Sequence, residues 1–192
     1  MGMTAFIGAA VKPPEFIGQI TGVSPQIPAD TLPGDLILYL YMRFTAAGIP
    51  SDFTPSGYSV IANLPNNSNY RTVAAYKIAV SGDAGSVPPN PGFGGMRYTM
   101  AVFRPYKSIS SALGVVAGTS SPTVIPSGSG SGSAIACVYV GFNGVSISGS
   151  PSMTAAGGFF AYRIMRRNER QNISVTSSGS PLSNISFYFN VS

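Results

Sequence analysis

Six carboxylates, eleven Lys and Arg, one Cys and no His are what 192 residues offer to acid–base, metal or nucleophilic chemistry. Histidine is the side chain whose ordinary pKa suits proton transfer near neutrality, and it is the commonest metal ligand. Without it, most hydrolytic, phosphoryl-transfer and zinc chemistries lose their usual parts. Asp30 and Asp35 are close enough in sequence to be read as a carboxylate pair for glycoside cleavage. The Pro33-Gly34 step between them favours a simpler role, the capping of a turn. The nearest approach to a nucleophile elbow, residues 144–148, lacks the second Gly, and a Ser without His has no ordinary base. Lys12, Lys77 and Lys107 lack the Ser-x-x-Lys spacing of a Ser–Lys pair. Residues 92–95 fail the dinucleotide-binding spacing because Arg97 stands where the third Gly belongs. The residues therefore predict no catalytic site, no metal site and no cofactor.

Two groups remain that could recognise a partner. Arg163, Arg166, Arg167 and Arg170, with Glu169 among them, form the densest group of charge. They read as a solvated hairpin end or a contact with an acidic partner subunit in preference to a nucleic-acid site, which wants a longer basic track. The chain has ten Tyr and eleven Phe but no Trp, the strongest stacking platform for a sugar. Tyr39, Tyr41 and Tyr76 fall within strand patterns, where cross-strand packing accounts for them. Phe53, Tyr58 and Phe93 fall in loops and are the candidate ligand-facing aromatics.

The elements that must position these residues follow a period of two. Over 35–44, Leu36, Leu38, Leu40, Met42 and Phe44 make one face, and Ile37, Tyr39, Tyr41 and Arg43 the other. Over 70–80, Tyr70, Thr72, Ala74, Tyr76, Ile78 and Val80 oppose Arg71, Val73, Ala75, Lys77 and Ala79. Similar short runs cover 16–23, 58–62, 97–104, 114–117, 133–142, 159–165, 173–176 and 185–191, each bounded by Gly, Pro, Asn or Ser. No segment carries a capped helical period. The chain is expected to be all-β, an antiparallel two-sheet β-sandwich of jelly-roll or related Greek-key order. Cys137 lies in an apolar run and is expected to be buried and inert.

A weak internal duplication is visible. Gly34-Asp35, Pro55-Ser56, Ala75-Tyr76-Lys77-Ile78 and 98–103 find counterparts in Gly132-Ser133, Pro151-Ser152, Ala161-Tyr162-Arg163-Ile164 and 185–189. From Tyr76 to Met100 is 24 residues and from Tyr162 to Phe187 is 25. One domain over 1–192 is expected: an N-terminal arm or first strand over 1–30, a first half over 31–107 and a second over 108–192. The Ser-Gly alternation at 127–133 reads as the loop joining the halves. Charged residues make up 9%, against about 25% in ordinary soluble domains. So neutral a surface suits a chain partly covered by neighbours in an assembly. No signal peptide or membrane span is read in the sequence, Phe6 occupies the Ser/Thr position of a myristoylation start, and the sequons at Asn66, Asn172, Asn184 and Asn190 are taken as chance.

Pro33-Gly34-Asp35-Leu36-Ile37-Leu38, then Pro55-Ser56-Gly57-Tyr58, Ala75-Tyr76-Lys77-Ile78-Ala79 and Ala101-Val102-Phe103-Arg104 follow one another in that order. The succession resembles a β-sandwich family met in bacteriophage virion and tail-associated proteins, patterned GDLLL, PSGW, YK(I/V)A and (F/Y)RG, over about residues 20–190. Tyr58 stands where Trp is usual, and Pro105-Tyr106 where Gly is common. The resemblance implies a non-enzymatic structural protein of a bacteriophage virion, with no catalytic residues to carry over. Short length leans the expectation towards capsid decoration, assembled in the host cytoplasm. The alternative is a tail or fibre component with a receptor- or carbohydrate-binding role. The expected partners are the major capsid protein or other virion proteins, a homo-oligomer such as a trimer, and in the alternative a glycan receptor. No membrane is expected. Phe6, Ile7, Phe16 and Ile17 of the arm, with Arg163, Arg166, Arg167 and Arg170, are the expected partner contacts.

Overall fold

Alternation of large apolar side chains on both faces of a strand requires cover on both sides, and that requirement organises the architecture. The computed structural model of the protein describes residues 12–44, 53–65, 70–89, 97–118, 123–125, 132–140, 147–150, 152–156, 159–169, 171–177 and 184–192. Among them there is no α-helix; a single 3-10 turn forms at Arg167–Glu169. Strands β1 (Glu15–Gly22), β2 (Leu36–Phe44), β3 (Ser59–Pro65), β4 (Tyr70–Ile78) and β5 (Arg97–Arg104) make a first antiparallel sheet in the order β1-β5-β2-β4-β3. The second half supplies β6 (Leu113–Gly118), β7 (Thr123–Ile125), β8 (Ser133–Val140), β9 (Ile147–Ser150), β10 (Thr154–Ala156), β11 (Phe160–Met165), β12 (Ile173–Ser177) and β13 (Asn184–Val191). Of these, β10-β11-β8-β13-β6 form a second five-stranded sheet and β7-β12-β9 a small third one.

The two large sheets meet through Leu36, Leu38, Leu40, Ala101 and Phe103 on one side and Ile135, Cys137, Tyr139, Phe160, Phe187 and Phe189 on the other. Cys137 is buried there as expected. The opposite face of β2, with Ile37, Tyr39 and Tyr41, is as fully buried as the inner one. Its cover is a layer of connections that supplies Ile27, Phe53, Tyr58 and Ala79. Two tyrosines tie that layer down: Tyr39 donates its hydroxyl to the Pro89 carbonyl at 2.9 Å and Tyr41 to the Phe53 carbonyl at 2.8 Å. The outer face of β8, with Ala134, Ala136 and Val138, is covered by the third sheet through Ile173, Val175 and Ile147. A two-sheet sandwich is therefore flanked by a further layer on each side.

The duplication extends to the topology. Matching β1, β2, β3, β4 and β5 with β6, β8, β10, β11 and β13 gives the two large sheets the same strand order. Each is drawn from one continuous half of the chain, unlike a jelly roll, whose chain shuttles between sheets. Registers match too. Leu38 stands opposite Tyr76 and Ala101; Cys137 stands opposite Tyr162 and Phe187. Edge strands β1 and β6 each carry a register irregularity against their partners, between Phe16 and Gly18 in β1 and opposite 186–188 for β6. Strand β1 thus belongs to the first unit as a full member of its sheet.

These registers correct the matching read from sequence by one residue. Leu36 corresponds to Ile135, since they face Phe103 and Phe189, so Gly34 does not correspond to Gly132. Ala101, and not Met100, corresponds to Phe187. A one-residue slip moves a side chain to the other face: Met100 lies in the outer cluster, while Ala101 and Phe187 lie between the sheets. Gly132 has a separate reason to be Gly, because a Cβ there would sit 1.9 Å from the Val191 carbonyl oxygen.

Across the central core the two units touch reciprocally. Tyr76 packs on Phe189 with ring centroids 5.1 Å apart and planes at 67°, and Tyr162 packs on Phe103 at 5.2 Å and 79°. Tyr76 corresponds to Tyr162 and Phe103 to Phe189, so each unit offers the same two residues to the other. That reciprocity is the signature of a two-fold, isologous interface, here inside one chain. In double-mutant cycles with Leu, measured by chemical denaturation, Tyr76 with Phe189 and Tyr162 with Phe103 should each show about 0.5–1.5 kcal/mol of coupling. Absence of coupling in both cycles would contradict the reciprocal core.

Candidate functional site

The charged side chains are the chain's only strongly polar chemistry, and their partners define what they can do. Asp35 opens β2, where the chain turns at Gly34 with φ of +93°. Its Oδ2 accepts from the Leu32 backbone N–H at 2.8 Å, which caps the turn. Arg104, at the end of β5, donates from Nε to Oδ1 and from Nη2 to Oδ2, both at 3.0 Å, and from Nη2 to the Asp30 carbonyl at 2.8 Å. Asp35 is 2% exposed and both its oxygens are engaged. The turn role expected for Asp35 holds, and Asp30 enters the site through its backbone carbonyl.

Beyond Arg104 the chain enters a left-handed residue, Tyr106, at φ +58°. A bulky side chain there costs of order 1–3 kcal/mol. Lys12 lies 4.1 Å from the Tyr106 ring centroid and also hydrogen-bonds its hydroxyl and the Glu15 carboxylate; the Tyr106 hydroxyl in turn donates to Glu15. The hydrogen bonds to Tyr106 and Glu15 hold the Lys12 ammonium above its usual range, and those from Tyr106 and Lys12 hold the Glu15 carboxyl below its own. Between 32–35 and 104–107 runs an open groove of about 410 Å³. Asp35 and Arg104 on its two walls pair with each other.

A second cluster appears at the turn after β4. The Asp83 carboxylate accepts from the Val80 N–H at 2.8 Å and pairs with Lys77. The corresponding turn after β11 repeats the device. Glu169 accepts from the Arg166 N–H at 3.3 Å, and the backbone bonds Asp83 N–H to Val80 carbonyl and Glu169 N–H to Arg166 carbonyl correspond as well. Asp83 and Glu169 each stand six residues after the basic residue of the Ala-Tyr-Lys/Arg motif. That six-residue spacing is the sequence signal of the repeated cap. Arg163, the counterpart of Lys77, donates instead to the Ser152 carbonyl at 2.7 Å.

The expected contact residues divide into three groups. Arg166 and Arg167 are exposed, with Arg163 half-buried beside them in sequence. Phe16 and Ile17 are not on an arm. Phe16 is partly buried between the large sheets, stacked on Tyr162 at 4.4 Å and tilted against Phe103 at 5.2 Å, and Ile17 packs into the outer cluster. They are core residues because β1 is part of the first sheet. Tyr58 is likewise not a free loop aromatic. It is 8% exposed, 5.4 Å from the Tyr39 ring, with the Lys77 ammonium 5.0 Å from its own ring centroid. Phe53 is partly buried, edge-on to Tyr41 at 5.9 Å. Both rings pack over the outer face of the first sheet, Tyr58 buried and Phe53 partly so. Phe6, Ile7, Phe93 and Arg170 lie outside the described residues, as do 127–131; the Ser-Gly segment falls within the second unit, between β7 and β8, and does not join the halves, which meet between β5 and β6.

Among the described residues no three His, Cys, Asp or Glu side chains gather as metal ligands. Burial pushes the Cys137 thiol well above its ordinary pKa, which keeps it protonated and a poor nucleophile. Compared with family models, curated proteins and solved structures, the chain matches none.

Burial pushes Asp83 up, but the hydrogen bonds from Lys77 and the Val80 amide, with the Lys77 charge, outweigh it and hold the carboxyl below its ordinary range. A carboxyl depressed in the folded state stabilises above its unfolded pKa, and the contribution fades as pH falls through the folded value. Asp83→Asn should therefore lower stability by about 1–3 kcal/mol at pH 7. The gap should close below about pH 4. Urea denaturation of both proteins between pH 7 and pH 3 reads this directly; a gap that is constant with pH would remove the charge from the explanation.

Proposed function

We propose that the protein is a non-enzymatic structural component of a bacteriophage virion, a capsid decoration or accessory protein that works by protein–protein contact. The observation that carries the non-enzymatic part is how three of the six carboxylates are used. Asp35, Asp83 and Glu169 each accept the backbone N–H of the residue three before, and Asp35 and Asp83 are further neutralised by Arg104 and Lys77. A general acid or base needs a free oxygen facing substrate; these oxygens hold turns. The place in a virion rests on the resemblance of the Gly34-Asp35, Tyr76-Lys77 and Phe103-Arg104 segments to the phage family pattern. Those segments build the first unit's capped turn, its share of the reciprocal core and its part-buried ion pair. A rigid body with few charges suits many-copy packing, where each contact adds binding free energy to an existing lattice.

Quantitative mass spectrometry of purified particles tests this reading. The expected copy number is a simple fraction of the major capsid protein's. A handful of copies per particle would move the protein to the tail or a vertex, and absence from particles would overturn the structural role.

A further inference from the structure

The duplication supplies an internal comparison that isolates one surface. The turns after β4 and β11 share their backbone bonds, their carboxylate cap and the buried apolar residue that leads into them, Ala79 in one and Met165 in the other. They differ in backbone, with Gly82 at φ +91° in the first against a 3-10 turn over Arg167–Glu169 in the second, and in their outward side chains. Val80 and Ser81 of the first turn correspond to Arg166 and Arg167 of the second, and both arginines are exposed. The first turn keeps the same carboxylate cap and the same backbone bond without cations at these positions. Their isolation is equally marked. Over 108–192 the sequence has no Asp, Glu, Lys or Arg outside 163–170. The other described surface strands of this unit present side chains such as Thr154, Ser148, Ser174 and Thr176.

We propose that the 166–167 turn, with Arg163 behind it, is a docking surface for a carboxylate-bearing patch on a partner protein. Guanidinium groups bind carboxylates through paired, charge-assisted hydrogen bonds, and a fork of fixed geometry recognises a small acidic cluster better than a flexible ammonium does. The footprint is short and neutral on its flanks, and it carries its own capping carboxylate, Glu169. A nucleic acid is instead bound by a track of about six to ten phosphate contacts. The inference rests on the reading of this chain as one that acts through protein contacts. Its test uses the isolated chain, so it can fail while a place in the virion stands.

The probe is a fluorescent oligoglutamate peptide titrated with the full-length protein at low salt, with a single-stranded oligonucleotide of equal charge in parallel. The informative variant installs the first unit's own residues, Arg166→Val with Arg167→Ser. A charge-matched control, Lys12→Ser with Lys107→Ser, removes the same charge elsewhere. The arginine variant should bind oligoglutamate about tenfold more weakly, with its melting temperature unchanged. The control should keep its affinity within about twofold. Four results would overturn the proposal: no binding by the unaltered protein, equal loss in the control, a lowered melting temperature in the arginine variant, or tighter binding of the oligonucleotide than of the peptide.

Discussion

The packing of Tyr76 on Phe189 and of Tyr162 on Phe103 is the contact on which the rest of this structure depends. A five-stranded sheet with large apolar residues on both faces is not stable as a single layer. Each unit solves half of that problem by presenting the same inner face to the other. The reciprocity fixes register, because a slip of one residue in any central strand would turn Phe103 or Phe189 away from its tyrosine. It also sets where the chain ends its first sheet and begins its second. Bulky residues in one unit replace smaller ones at the corresponding positions of the other: Phe187 and Tyr139 correspond to Ala101 and Leu40. An interface that began as symmetric can diverge in this way while its total volume is kept.

The outer faces show how one requirement is met twice with different chemistry. In both units the connections between corresponding strands provide the cover. In the first unit Ile27 exchanges backbone bonds with 85–86, from Ile27 N–H to the Ser86 carbonyl at 2.9 Å and from Gly85 N–H to the Ile27 carbonyl at 3.0 Å. In the second unit the same two connections pair as β7 and β12. The first unit's connections hold twice as many prolines as the second's, which have Pro122, Pro126, Pro151 and Pro181. Pro25, Pro28, Pro33, Pro50, Pro55, Pro88, Pro89 and Pro91 interrupt the first unit's connections. Each lacks an N–H and locks φ, so a ladder cannot extend through it. The corresponding second-unit segments alternate Ile or Val with Ser or Thr, and they form strands. Loop cover then draws on hydroxyls for attachment, which is why Tyr39 and Tyr41 reach the Pro89 and Phe53 carbonyls.

The faces of β2 and β4 were readable from the period of two, and the existence of a duplication from the repeated Ala-Tyr-Lys/Arg motif. Its register was not, because Gly34 and Gly132 look alike as residues but serve different constraints: Gly34 has a left-handed φ, Gly132 a steric approach to Val191. The outer layers escaped the sequence reading because a buried second face and a solvated one differ little in a strand rich in Tyr and Ala. That omission misplaced Phe53, Tyr58, Phe16 and Ile17, whose neighbours in sequence are turn residues but whose neighbours in space are sheet faces. The arginine group was legible as a group. Its turn, capped like the one held by Asp83, carries exposed arginines where the other has Val80 and Ser81.

If the two units are halves of one reciprocal interface, neither sheet opens without the other. Native-state hydrogen exchange resolved by residue measures this directly, since the slowest amides report the opening free energy of the unit that protects them. The amides of β2 and β5 should share one limiting opening free energy with those of β8 and β13, and that value should equal the global stability from denaturation. Two separate plateaus, with one sheet exchanging through an opening that leaves the other protected, would contradict the claim that a single two-fold core holds the molecule together.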